Sequence, residues 1–300
     1  MTGFKSPDAG PFDYVLLLLL ATIWSLSFGA IKVAVETIPP ITLAFSRMAL
    51  AAVILTLMMR LWGGRFPAWG REWIGLFAVA LVGNGLPFFL IGWGEVKIDS
   101  SLAAILMAVM PLTTALIAHV FTQTEKLNGI KLVGIALGFS GVAVLVGPDA
   151  LAGLGDDVIR QMAVAGGAVC YGIASVITRS LPPAKPVDRS AVVLVLASLQ
   201  MVPVMIWLDQ PWTLSPSTES IWAVVFLGLF PTGLAAILYF KLIAVRGATF
   251  ITYNNYLIPM LGVLWGFLFL GEIIEPRALA ALGLVLAGIA VAMLGARKRA

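Results

Sequence analysis

Residues Ser100 to Glu125 read SSLAAILMAVMPLTTALIAHVFTQTE, an apolar run with one proline near its middle and one acid at its end. From Ala248 to Glu272 the chain reads ATFITYNNYLIPMLGVLWGFLFLGE, where Pro259 answers Pro111 and Glu272 answers Glu125. A single shift of 147 residues extends the likeness, laying Trp24 on Tyr171, Lys32 on Arg179, Pro39 on Pro186 and Gly141 on Gly288. The two mid-span prolines miss that register by one residue, and Pro87 and Pro231 miss it by three. The chain therefore reads as two halves of one plan, 13–147 and 158–296.

Composition sets the environment of those halves. The 300 residues are 60% hydrophobic and 11% charged, with a mean hydropathy of +1.02. A soluble fold carries roughly a quarter charged residues, so there is too little polar surface here to face water. The net charge of +4 is small and, as placed, marks orientation rather than nucleic-acid binding. Cys170 is the only cysteine and His119 the only histidine, which leaves neither a disulfide framework nor a metal cluster. No cofactor is expected. The N-terminus does not read as a cleaved signal, because Lys5 is followed by two acids and the apolar run from Tyr14 has no small-residue cleavage pattern.

A helix needs about 20 apolar residues to cross a ~30 Å hydrocarbon core. Ten runs qualify: 13–32, 40–60, 72–94, 100–122, 127–147, 158–179, 188–208, 219–242, 248–270 and 276–296. Backbone polar groups in lipid must pair within their own segment, and no alternating β-barrel pattern is present, so the expectation is an all-α membrane protein of ten transmembrane helices. Lys and Arg then orient it. With the N-terminus in the cytoplasm, 14 of them fall in inside segments and 4 outside, with Arg47 within a span. Both termini are expected to be cytoplasmic and the 147–157 loop external. Five spans per half is an odd number, which turns the second half upside down. Inverted five-helix repeats around a midplane site are the usual build of secondary transporters.

These features resemble the drug/metabolite transporter superfamily, in particular its EamA branch. The residues that carry the resemblance are Ile23-Trp24-Ser25, Ser46-Arg47-Met48, Pro111 with Glu125, and Pro259 with Glu272. Within the branch the chain is most similar to bacterial amino-acid exporters, including the aromatic-amino-acid type. The resemblance implies a monomeric, multi-pass inner-membrane protein that exports a small molecule, an amino acid or similar metabolite, by alternating access. Efflux of drugs or other amphipathic metabolites is the alternative within that class. An intramembrane enzyme is the alternative from another class, but the sequence holds no HExxH, no phosphate-binding glycine loop and no Ser/His/Asp set.

The substrate cavity is expected between the halves. One face of the fourth run reads Ser100, Ala104, Met107, Ala108, Pro111, Thr114, Ala115 and Ala118. The opposite face reads Leu102, Ile105, Leu106, Val109, Leu112, Leu116 and Val120. The small face is expected toward protein or water, and the branched face toward lipid. The ninth run repeats the pattern with Thr252, Asn255, Tyr256, Pro259, Gly262 and Gly266. Pro111 and Pro259 each free a backbone carbonyl in mid-membrane. Asn84, Gly85 and Pro87 interrupt the third run, and Phe230 to Gly233 the eighth. Trp24, with Ser27 beside it, and its counterpart Tyr171 lie near mid-span. Phe88 and Tyr239 add apolar walls. The cavity candidates are thus Trp24, Ser27, Asn84, Phe88, Met107, Pro111, Tyr171, Tyr239, Asn255, Tyr256 and Pro259.

Charged groups in the spans are few. Arg47 reads either as a clamp for a substrate carboxylate or as a snorkelling or ion-paired structural residue. The structural reading is preferred, because its repeat counterpart is Leu194. Glu125 and Glu272 are expected to cap the helices that follow them. His119 is expected to serve helix packing, as are the GxxxG pairs Gly134–Gly138 and Gly262–Gly266. No acid falls at a midplane, so transport is expected to follow the substrate's own gradient, with Glu95 and His119 the groups placed to couple a proton otherwise.

Overall fold

Every regular element among the described residues of the computed structural model, 10–121, 127–147, 156–246 and 248–297, is helical. Nine helices there are long and apolar enough to cross a membrane by length and composition. They are α1 (Pro11–Ala34), α2 (Pro40–Leu61), α3 (Glu72–Glu95), α4 (Ser100–Phe121), α5 (Gly129–Val146), α6 (Asp156–Ser180), α7 (Pro186–Asp209), α8 (Thr218–Tyr239) and α10 (Pro276–Arg297). Between the last two stands α9 (Asn254–Leu270), an apolar helix of 17 residues. At 1.5 Å per residue it rises only about 25 Å. The run it belongs to is shortened by a turn at Thr252–Tyr253, which separates it from the four-residue helix Ala248–Ile251.

Local chemistry explains where these helices start and stop. Pro11, Pro40, Pro186 and Pro276 stand at first positions, where the missing N–H costs nothing. Asn128 caps α5 by accepting from the Lys131 N–H at 2.8 Å, and Ser217 caps α8 by accepting from the Ser220 N–H at 3.1 Å. Gly271 ends α9 with φ +65°, a left-handed position where a side chain would be strained.

The interruptions read from sequence are widened turns rather than breaks. α3 and α8 each run through a π-helical turn, at Leu81–Gly85 and Gly228–Leu234. A third such turn, Met205–Asp209, follows Pro203 in α7. A proline cannot donate to the preceding turn, and the wider turn absorbs that loss. In α4 the helix tightens ahead of Pro111 instead, with Ala108 and Val109 donating to the carbonyls three residues back at 3.1 and 3.3 Å.

α1 packs against α8 and α9, and α6 packs against α3 and α4. α2 lies along α7, and α5 along α10. The α5–α10 seam is built on glycine: a Cβ at Gly288 would lie 2.5 Å from the Gly138 nitrogen and 2.6 Å from the Gly134 carbonyl oxygen. Gly262 of α9 likewise backs onto Ala104 of α4. Both GxxxG pairs therefore sit within intrachain helix packing.

One expectation about faces is overturned. The branched side of α4 does not meet lipid, because Ile105, Leu106, Val109 and Leu112 are all buried, none more than 1% exposed. Of that face Val120 is exposed, near the far end of the helix. α4 sits between α1, α6, α9 and α10, so both of its sides meet protein. A helix wheel alone cannot report how many neighbours surround a helix.

Candidate functional site

Four helices meet at the π-helical turn of α8. From α1, the Trp24 indole N–H donates to the Pro231 carbonyl at 3.2 Å, and its ring lies 5.7 Å from that of Tyr239. From α2, Arg47 donates through Nε and Nη2 to the Thr232 hydroxyl at 3.3 and 3.2 Å. Thr232 in turn donates to the Leu227 carbonyl at 2.7 Å, inside its own widened turn. From α3, the Phe88 ring lies 4.0 Å beneath the Arg47 guanidinium. The turn does this work because its wider backbone presents groups that a regular helix would keep to itself.

Arg47 departs from its expected role. It is 5% exposed, so it does not snorkel, and among the described residues no carboxylate stands within ion-pair distance of it. Its charge is held by a hydroxyl and an aromatic face. Leu194, its repeat counterpart, is an ordinary core residue between α2 and α7.

A second polar cluster closes the end of the bundle that carries Thr37. The Glu272 carboxylate accepts from Ser100 N–H and hydroxyl, both at 2.7 Å, and from Ser101 N–H at 3.0 Å. Glu272 is thus a cap, but of α4 and not of the helix that follows it, because the turn at Gly271 carries its side chain back across the bundle. Glu125 lies outside the described residues. Asp209 caps α2 in the same manner, accepting from Thr42 N–H and hydroxyl at 2.8 Å each. Thr37 donates to the Ser220 hydroxyl at 2.8 Å, and Ser220 to the Val33 carbonyl at 3.0 Å. Burial, and then the neighbouring Glu272 carboxylate, hold the Asp99 carboxyl above its ordinary value.

Glu95, the last residue of α3, is fully buried beside this cluster, and neither carboxylate oxygen has a hydrogen-bond partner. Lys32 passes it by, donating to the backbone carbonyls of Glu95 and Ile98 at 3.0 and 2.7 Å. At the other end of the bundle, Asp13 of α1 pairs with Arg246 at 2.5 Å, and the Leu127 N–H donates to His119.

The sequence-predicted residues fall into groups. Trp24, Phe88 and Tyr239 gather around the α8 turn. Met107 and Tyr171 pack on one core cluster, with Tyr171 within electrostatic reach of Arg47. Tyr256 stands apart, lining an opening of about 550 Å³ with Tyr14, Leu17, Tyr253, Leu257 and Met293. Ser27 turns its hydroxyl back to the Trp24 carbonyl, 2.6 Å away. Asn84, Pro111 and Asn255 are half-buried in their helices, and Pro259 is buried. Asn254, the neighbour of Asn255, is the more enclosed, and its buried side-chain amide is without a partner. Arg47, Thr232 and Glu95 were not among the predicted cavity residues, although an arginine inside an apolar run was a signal available in the sequence.

The model of the EamA-like transporter family matches residues 12–147 and again 160–294. An uncharacterized transporter of Archaeoglobus fulgidus is 27% identical over 286 residues, 95% of this chain and 99% of its own. A protein of Streptantibioticus cattleyicolor described as a probable terminal-alkyne amino-acid exporter is 26% identical, across 91% of this chain and 90% of its own. The inner membrane transporter YedA of Escherichia coli is 26% identical, across 93% and 90%. A solved crystal structure shares the fold at a TM-score of 0.68 and 19% identity, covering 94% of this chain and 98% of its own.

Proposed function

The chain belongs to the EamA-like transporter family, and on that premise we propose that it exports small metabolites, amino acids in the first place, by alternating access between two inverted halves. One observation carries the reading. The π-helical turns of α3 and α8 begin at Leu81 and Gly228, 147 residues apart, at the shift read from sequence. Packing supports it too. α1 lies on α8 and α9, while α6 lies on α3 and α4, which are the same partners exchanged between halves. Two copies of one unit that trade environments provide two states of similar energy, which alternating access requires.

In this reading the cavity lies around the α8 turn, walled by Trp24, Phe88, Tyr171 and Tyr239. The Lys and Arg asymmetry makes the Thr37 end external and both termini cytoplasmic. The bonds of Thr37 to Ser220, Thr42 to Asp209 and Ser100 to Glu272 then shut the outside, each joining one half to the other. The amino-acid class is supported by the exporter relative, which matches along most of its length. The test is uptake and efflux of twenty labelled amino acids in proteoliposomes of the purified protein. Flux of at least one above empty liposomes is expected, and flux of cationic drugs without any amino acid would overturn the class.

A further inference from the structure

We propose that Arg47 and Glu95 are the two poles of a zwitterion site, Arg47 holding the carboxylate of an amino acid and Glu95 its ammonium group. The proposal rests on the amino-acid reading above and deepens it. Both are buried ionisable groups without a charged partner in contact among the described residues: Arg47 donates only to a neutral hydroxyl, and the Glu95 carboxyl oxygens bond nothing. An unpaired buried charge is destabilising, and proteins retain one chiefly where something else supplies the partner. The planar guanidinium fork matches a carboxylate, yet here two of its nitrogens share one oxygen and Nη1 makes no hydrogen bond.

The spacing fits one small molecule. Arg47 stacks on Phe88, and Glu95 follows Phe88 by seven residues on the regular helix Leu86–Glu95. Seven residues are two turns, which puts Glu95 on the same face about 10 Å along the axis. That separation is about the length of a zwitterion with one charge-assisted hydrogen bond of about 2.8 Å at each end. Arg47 and Glu95 already lie within electrostatic reach of each other, and of Tyr171 and Lys32 respectively. Lys32 does not fill the anionic pole, because its ammonium is engaged by two backbone carbonyls. From α6, Arg160 is occupied with the Trp93 carbonyl and ring. The Thr232 hydroxyl holds the place of a carboxylate oxygen. Because Thr232 belongs to the second half and Arg47 to the first, a carboxylate that displaces it also releases a contact between the halves.

For the fastest amino acid of the twenty, flux into proteoliposomes is competed by that amino acid, its decarboxylated amine and its deaminated acid. For phenylalanine these are phenethylamine and 3-phenylpropanoate. Wild-type protein is expected to need at least tenfold more of either half-molecule for equal inhibition. Arg47→Lys and Glu95→Gln are expected to raise KM at least tenfold while keeping the thermal transition of the purified protein. Half-molecules that compete as well as the whole, or variants with KM within threefold of wild type, overturn the two-pole site and leave amino-acid export standing. Absence of flux for all twenty overturns the export reading, and the site with it.

Discussion

Glu272 caps a helix that begins at Ser100, 172 residues earlier in the chain, its carboxylate 2.7 Å from both the Ser100 nitrogen and hydroxyl. An acid from the second half thus neutralises the positive end of a helix in the first. Removing it leaves two N–H groups and a hydroxyl to find other partners. Glu272→Ala is expected to destabilise the folded protein by about 1–3 kcal/mol, the usual loss for a cap and its buried donors. Glu272→Gln, which keeps an acceptor oxygen, is expected to lose less. Thermal unfolding in detergent reads both, and transitions equal to wild type would contradict the cap.

The glycine seam between α5 and α10 predicts opposite signs for two substitutions on one helix. A Cβ at Gly288 meets backbone atoms of Gly134 and Gly138 within 2.7 Å, whereas a Cβ at Gly283 meets nothing within 4 Å. Gly288→Ala is expected to cost about 1–3 kcal/mol through forced separation of the helices. Gly283→Ala is expected to be neutral or to gain up to about 1 kcal/mol from helix propensity. Equal shifts in melting temperature would contradict the seam.

Asp99 gives a pH signature. Its carboxyl is held above the ordinary value, so the folded state keeps a proton that the unfolded chain releases. Stability from this group therefore falls as pH rises through a window that opens near the ordinary aspartate value, about 3.9, and closes at the higher native one. Asp99→Asn removes the titration. The variant is expected to gain on wild type as pH rises across that window, in melts read at matched pH. A constant difference between the two profiles would contradict the assignment.

Much of this architecture was legible because membrane segments must be long, apolar and helical. The interruptions read at Asn84 to Pro87 and at Phe230 to Gly233 fall at or beside two of the π-helical turns, because glycine and proline are visible in any reading of the chain. What the chain did not disclose depends on neighbours. The buried branched face of α4 follows from four surrounding helices, and the partner of Glu272 follows from a turn that reverses its direction. Glu95 stands at a span end, where an acid ordinarily reaches water, and only the packing around it shows that this one does not. Arg47 stands out as a charge inside an apolar run, but Thr232 and Phe88, which hold it, have no sequence signal linking them to it.

The orientation drawn from Lys and Arg is checked with single cysteines on a Cys170→Ala background. Asp157 and Lys185 are both exposed, and they lie at opposite ends of α6 and its following loop. Asp157→Cys is expected to react with a membrane-impermeant thiol reagent added to intact cells, and Lys185→Cys only after the membrane is opened. The reverse pattern would turn the molecule over.

Alternating access is tested most directly by locking the Thr37 end. The Thr37 and Ser220 hydroxyls are 2.8 Å apart and belong to different halves, close enough for a disulfide between cysteines at the two positions. Thr37→Cys with Ser220→Cys, on the Cys170→Ala background, is reconstituted and its amino-acid flux measured after oxidation and again after reduction. Oxidation is expected to abolish flux, and reduction to restore it to the level of the singly substituted proteins. Undiminished flux through protein whose disulfide is fully formed would contradict it.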